Sequence, residues 1–197
     1  RQLYPDVPVV LGGIEASLRR VMHYDYWQER FRPSILVDSQ ADMITYGMGE
    51  KPTIALCQLL TDALEESHPD LAYDENGNSF ITRSTFHQVV QEQHEVPQTV
   101  SLYRKNDIPG GIRKDDIVLH SYEECMREPR LHADNFRHVE EESNKLRAQR
   151  LLQQTGQQWV VVNPPFPPLT QEELDHSFDL PYTRLPHPKY KGKRIPA

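Results

Sequence analysis

The chain has 197 residues, room for one or two domains, with 22 basic against 29 acidic side chains and a formal charge of −7. That balance weighs against a uniformly basic nucleic-acid-binding surface. No apolar run approaches the ~18 residues of a membrane-spanning helix, no signal peptide is visible, and two distant cysteines, Cys57 and Cys125, suggest neither a disulfide framework nor a metal knuckle, so a cytoplasmic protein is expected.

The apolar run Val7-Pro8-Val9-Val10-Leu11 ends in Gly12-Gly13 and leads straight into a helical segment over residues 15–22. Ile14, Leu18, Val21 and Met22 fall on one apolar face of that helix. An aromatic and charged connector, residues 23–31, follows. Residues 34–37 read as a short strand or a buried link. The run Ala41-Asp42-Met43-Ile44-Thr45-Tyr46 then meets Gly47-Met48-Gly49-Glu50, and a second helix opens at Lys51-Pro52, where proline suits the first turn. Ser67-His68-Pro69 ends it. Two successive strand–glycine–helix units read as part of an α/β fold with a parallel, doubly wound sheet. Such a sheet is buried on both faces and needs more than two strands. Further strands are expected ahead of residue 1, and the chain, which opens at Arg1, reads as a piece of a larger protein.

Residues 69–128 read as a small β-rich insertion. Asn76-Gly77 is a hairpin turn signal, residues 99–103 and 117–119 are strand-like, and Ser121-x-x-Glu124 is a capping box. One long helix is predicted over residues 129–150, begun at Pro129, with Ala133, Phe136, Val139 and Leu146 as its apolar stripe and Glu140-Glu141-Glu142 facing water. Residues 151–162 read as a β-hairpin around Thr155-Gly156. Eight of the 16 prolines follow Asn163. Residues 163–197 are therefore expected to run as an extended, proline-rich strap, with Thr170-x-x-Glu173 capping one helical turn and a basic end.

Several long blocks together resemble the YgiQ-like radical SAM proteins. They are residues 9–20, followed by His23-Tyr24-Asp25-Tyr26-Trp27; Ser34-Ile35-Leu36-Val37-Asp38-Ser39 with Ala41-Asp42; Asn163-Pro164-Pro165; and Leu180-Pro181-Tyr182-Thr183-Arg184 with His187-Pro188. The resemblance implies that residues 1–68 are the back half of an α/β domain similar to cobalamin-binding domains. It also implies that residues 163–197 lead to a radical SAM barrel of the same polypeptide. In that family the barrel carries a Cys-x-x-x-Cys-x-x-Cys motif holding a [4Fe–4S] cluster, with one iron left for S-adenosylmethionine. No such motif occurs in this chain, so cluster and S-adenosylmethionine are expected to be bound outside it, with no metal and no catalysis in this segment alone. The substrate is left open.

The candidate cofactor-binding residues are Gly12 and Gly13 at one strand end and Gly47 and Gly49 at the other, which would rim one cleft. The turns would serve either to bring backbone N–H groups to a nucleotide or cobalamin tail, or simply to turn tightly. Glu15 in the first helical turn would repel phosphate, no Gly-x-Gly-x-x-Gly pattern is present, and no Asp-x-His-x-x-Gly corrinoid signature occurs. His23 and Asp25 are the weak catalytic candidates, for proton transfer beside an aromatic wall; packing of these aromatics against the barrel is the alternative preferred. Asp134, His138 and Glu142 share a helix face, at metal-ligand spacing or as a solvated face with i,i+4 pairs. Lys189, Lys191, Lys193 and Arg194 would touch RNA phosphates or, preferably, form a charged linker. A purely structural interaction domain is the remaining alternative.

Overall fold

The computed structural model describes residues 2–66, 68–92 and 95–192. The chain divides into two compact units, Arg1–Phe166 and Pro167–Ala197. In the first unit, β1 (Val10–Leu11) leads through Gly12 into α1 (Gly13–Leu18), and the hairpin β2 (His23–Asp25) with β3 (Arg30–Arg32) follows. Ser34 then accepts a hydrogen bond from the Leu36 N–H and caps α2 (Ile35–Ser39). Residues 34–37 therefore open a helix, not a strand, because a serine cap satisfies a helical N–H that an extended link would leave unpaired.

Next come β4 (Met43–Thr45) and α3 (Glu50–Glu65), with Pro52 buried in its first turn. The predicted terminator Ser67 lies outside the described residues. The hairpin β5 (Ala72–Tyr73) with β6 (Ser79–Phe80) turns at Asn76-Gly77 as expected, with Gly77 at φ +80°. The sequence reading missed α4 (Arg83–Glu92), whose Phe86, Val89 and Val90 are buried. There follow β7 (Thr99–Arg104), β8 (Ile117–Leu119), α5 (Tyr122–Arg127) with its Ser121–Glu124 capping box, and α6 (Pro129–Ser143) with Pro129 in its first turn. The hairpin β9 (Leu151–Thr155) with β10 (Gln158–Val162) turns at Gly156.

Six of these strands form one sheet in the order β1-β4-β7-β10-β9-β8. The α/β class is as expected, and β1 and β4 pair in parallel. The sheet as a whole is mixed: β4–β7, β7–β10 and β10–β9 are antiparallel, and only the edge pairs β1–β4 and β8–β9 are parallel. Segments 1–68, 69–128 and 129–162 each contribute two strands to it. Alternation along the strands sends neighbouring side chains to opposite faces. Ile44, Val100, Val160 and Val162 pack with Ala16 of α1, Leu36 of α2 and Val139 of α6, whereas Met43 packs with Leu56 of α3 and Phe86 of α4. Trp159, Val161 and Leu152 form a further cluster with Ile108.

Two helices depart from their expected faces. α1 is a turn and a half, so Val21 and Met22 are buried beyond its end while Ile14 and Leu18 stay 79% and 68% exposed. α6 stops at Ser143, short of residue 150, and its inward face is half polar: Asn135, Val139 and Glu142 are buried, whereas Phe136 and Leu146 are exposed. Glu142 turns inward because it accepts from Lys145 Nζ at 2.5 Å and from the Gln149 N–H at 2.7 Å.

Arg150 is buried behind β9. Its Nε and Nη2 grip both oxygens of Asp116 at 2.9 and 2.7 Å, Nη1 reaches Glu95 and the Pro109 carbonyl, and Nη2 also reaches the Gly111 carbonyl. The network pins loop 105–116 to the sheet. In the second unit, Thr170 and Glu173 form a reciprocal capping box on α7 (Gln171–Asp179), nine residues rather than the single turn expected.

Candidate functional site

The carboxyl ends of β1 and β4 lie side by side, and the glycine turns that leave them meet through one side chain. Ser17 Oγ donates to the Gly13 carbonyl at 2.8 Å and accepts from the Gly47 N–H at 3.0 Å. Gly12 approaches the neighbouring strand closely: a Cβ there would stand 3.2 Å from Thr45 Oγ1. Gly13 needs its freedom for another reason, a φ of +85° with open space around it. Gly49 caps α3 in ordinary helical conformation. The structure thus brings the turns at Gly12-Gly13 and at Gly47 together at one end of the sheet through Ser17.

Behind Gly47 stands Gln98, itself at φ +62°. Its Nε2 donates to the Tyr46 carbonyl at 2.7 Å and to the Met48 carbonyl, and its Oε1 accepts from the Phe166 N–H at 3.2 Å. Tyr46 donates its hydroxyl to the Asn163 carbonyl at 2.5 Å, and burial pushes its phenol up to about 12. The Arg20 guanidinium lies 5.0 Å above the Tyr46 ring. Asn163 holds the Val96 carbonyl and Thr99 Oγ1 through Nδ2. The Asn-Pro-Pro block is therefore anchored beside the Gly47 turn. Two features weigh against an anionic ligand at these turns. The Gly47 N–H is already spent on Ser17. Carboxylates also stand at both helix starts: Glu15 on α1, paired with Arg19 at 2.8 Å, and Glu50 on α3, whose Oε2 is buried and unpartnered.

An apolar cavity of about 270 Å³ opens between the end of α1, β2 and α6. Leu18, Val21, Met22, Phe136 and Val139 line it, with His23, His132 and Asn135 among its polar groups; the glycine turns are not part of its lining. Burial lowers the pKa of both histidines below the usual 6.5, so both are neutral at neutral pH. His132 stacks edge-on against Phe31 at 4.8 Å, and its Nδ1 is buried without a partner. Asp25 is not at this cavity. Its carboxylate accepts from the Gln28 and Trp27 N–H groups, both at 3.0 Å, and these bonds hold it below the usual carboxylate range. It shapes the β2–β3 turn, at whose tip Tyr26 and Trp27 are 76% and 87% exposed.

Residues 1–197 match the family described as Radical SAM N-terminal. The chain belongs to that family. Among its relatives are UPF0313 proteins from Bacteroides thetaiotaomicron, 51% identical over 197 residues, and from Porphyromonas gingivalis, 45% identical over 197 residues. A third, from Pseudomonas putida, is 33% identical over 232 aligned residues. Each alignment covers all of this chain and 29%, 27% and 30% of the relative respectively, so the chain spans less than a third of their length. No solved structure matches it. The resemblance read from the sequence blocks is borne out at the level of the family and its N-terminal region.

The Radical SAM N-terminal family implies a [4Fe–4S] cluster and S-adenosylmethionine in the whole protein, and the residues of this region do not fit the cluster. Cys125 is buried, takes a hydrogen bond from Asn135 Nδ2 at 3.3 Å, and burial pushes its thiol up to about 11, far from the thiolate that iron requires. Cys57 is exposed on α3. Among the described residues no group of three or more His, Cys, Asp or Glu could hold a metal ion. The helix-face trio Asp134, His138 and Glu142 is spent elsewhere. Asp134 is held by Arg137 at 2.9 Å and His120 at 3.1 Å, and Glu142 points into the core. Lys189 sits 4.8 Å above its neighbour Tyr190; Lys193 and Arg194 lie outside the described residues. No described helix is long and apolar enough to cross a membrane. His132, Gln98 and Ser17 were not singled out in the sequence. Only His132 had a usable signal, its i, i+3, i+7 spacing with Asn135 and Val139 along α6.

Proposed function

We propose that this Radical SAM N-terminal region is the accessory part of a radical SAM iron–sulfur enzyme, covering one mouth of the barrel and shaping the substrate cleft. The observation that carries the reading is the family match over residues 1–197. The cluster would be held by residues outside this chain. When bound, such a cluster supplies the electron that splits the sulfonium carbon–sulfur bond of S-adenosylmethionine. This chain's own part is to bind and orient. The exposed Tyr26 and Trp27 suit packing against the barrel, and the cavity between α1 and α6, mainly apolar but bordered by Arg20 and Glu140, suits a group that is apolar over most of its surface.

The test uses the complete natural polypeptide purified without oxygen. Iron and sulfide near four per chain, together with reductant-dependent formation of 5′-deoxyadenosine and methionine, are expected. No cluster under reconstituting conditions would overturn the reading.

A further inference from the structure

The cavity between α1, β2 and α6 is lined in large part by rings. Tyr24 comes from β2, and His132 and Phe136 stand one helical turn apart on α6. Phe31, outside the lining, locks two of them: it meets Tyr24 edge-on at 5.5 Å and His132 edge-on at 4.8 Å. Rings fixed in this way lose little freedom when a ligand binds. Val21, Val139 and the Met22 thioether add a buried apolar part, and a thioether, like an aromatic edge, attracts another ring. Arg20 and Glu140 on the border carry opposite charges, so net charge selects neither an anion nor a cation. The Asn135 amide is spent on the His120 N–H and carbonyl and on the Cys125 sulfur. Arg20 Nε and His132 Nδ1 are the buried polar atoms of the lining residues left without a partner. A ligand carrying one hydroxyl or ring N–H would answer that need.

Size narrows the class. An apolar cavity of about 150 Å³ takes up one benzene ring, and this one, at about 270 Å³, has room for two rings. We infer that it binds a planar aromatic group of two fused rings, packed against Tyr24 and Phe136, with one hydroxyl or ring N–H as its polar edge. A saturated ligand of the same bulk forgoes the ring contacts, each worth a factor of about 2–10 in affinity. The inference deepens the reading of this region as part of a substrate cleft, and rests on that reading for the link to a reaction but not for the binding itself. The competing occupant is a side chain from the rest of the polypeptide, which would leave the cavity filled.

The experiment titrates the complete polypeptide with 2-naphthol by calorimetry, without reductant and without S-adenosylmethionine. Saturable one-to-one binding at about 1 mM or tighter is expected, roughly tenfold or more tighter than that of the saturated counterpart, decahydro-2-naphthol. Two variants place the site. Phe136→Ala removes a ring from the lining and is expected to weaken binding about two- to tenfold. Leu18→Trp fills the mouth and is expected to abolish it. Phe136 and Leu18 are 58% and 68% exposed, so both variants spare the core, and circular dichroism checks that they fold. Equal affinity for the saturated alcohol would reduce the cavity to an apolar hole without preference for rings. Unchanged binding in both variants would put the probe elsewhere. No binding at all would mean that the cavity is filled from outside residues 1–197. Each of these overturns the inference and leaves the iron and cleavage assays untouched. A polypeptide that binds 2-naphthol in this cavity but assembles no cluster would overturn the radical-enzyme reading alone.

Discussion

Arg150 places donors on five acceptor atoms, and its main partner, Asp116, has a side chain only 2% exposed. Burial alone would push the Asp116 carboxyl up, but the hydrogen bonds from Arg150 and from the Arg113 N–H outweigh it and hold it below the usual range. Replacing Arg150 by Ala strands that carboxylate and the Pro109 and Gly111 carbonyls. A loss of about 3–5 kcal/mol is expected in denaturant unfolding. Lys, which keeps the charge but lacks the fork, is expected to recover only part of it. A cost below about 1 kcal/mol for Arg150→Ala would show that the network is incidental. His132 carries a second residue-scale prediction. Its folded pKa lies below the unfolded value of 6.5. Above 6.5 neither state holds the proton and stability is complete. As pH falls below 6.5 the unfolded chain gains its proton first, so stability declines until the folded pKa is passed. The melting temperature is expected to fall between pH 8 and pH 5.5, with a shallower slope in His132→Phe. An unchanged slope would remove His132 from the account. Arg150 was not legible beforehand, since nothing local to it or to Asp116 announces a pair 34 positions apart; His132 left only its i, i+3, i+7 spacing as a signal, on a face of α6 that alternates polar with apolar groups.

At the scale of elements, what could be read was whatever is decided within a few residues. The Ser121–Glu124 and Thr170–Glu173 capping boxes, the Asn76-Gly77 and Gly156 turns and the start of α6 at Pro129 all stand where the sequence puts them. The α4 helix escaped because its apolar signal is three residues, Phe86, Val89 and Val90, directly behind a genuine hairpin. Its position is fixed from a distance. Asp42, at the start of β4 and with a fully buried side chain, accepts from Arg83 Nε at 2.6 Å, His87 Nε2 at 2.9 Å and the Val9 N–H at 2.8 Å. One carboxylate therefore ties β1, β4 and α4 together. Asp42→Ala removes the shared acceptor and leaves the Val9 N–H unsatisfied. The expected cost is about 2–4 kcal/mol, together with faster amide exchange in residues 83–92. A uniform loss without selective exchange in α4 would mean that Asp42 supports the sheet alone. The antiparallel return from β4 to β7 is equally non-local, which is why a mixed sheet lay behind two units that read as parallel.

For the whole molecule, the decisive information was in long sequence blocks whose meaning the fold explains only in part. The Gly12-Gly13, Tyr46-Gly47 and Asn163-Pro164-Pro165 segments gather at one end of the sheet, held by Ser17, Gln98 and the Arg20–Tyr46 contact. There the Gly47 N–H is engaged by Ser17 and the Asn163 N–H by the Thr99 carbonyl. The cysteines separate that structural role from iron binding. If the cluster is held outside residues 1–197, replacing Cys57 and Cys125 together by Ala in the complete polypeptide leaves iron content and the iron–sulfur absorbance per chain unchanged. Cys125 is fully buried beside Asn135, so its truncation is expected to cost about 1 kcal/mol of stability. Circular dichroism separates that effect from any loss of iron. A folded double variant that has lost its iron would place a ligand in this region and reverse the assignment of roles, because a thiol pushed up to about 11 would then have to be deprotonated by the metal itself.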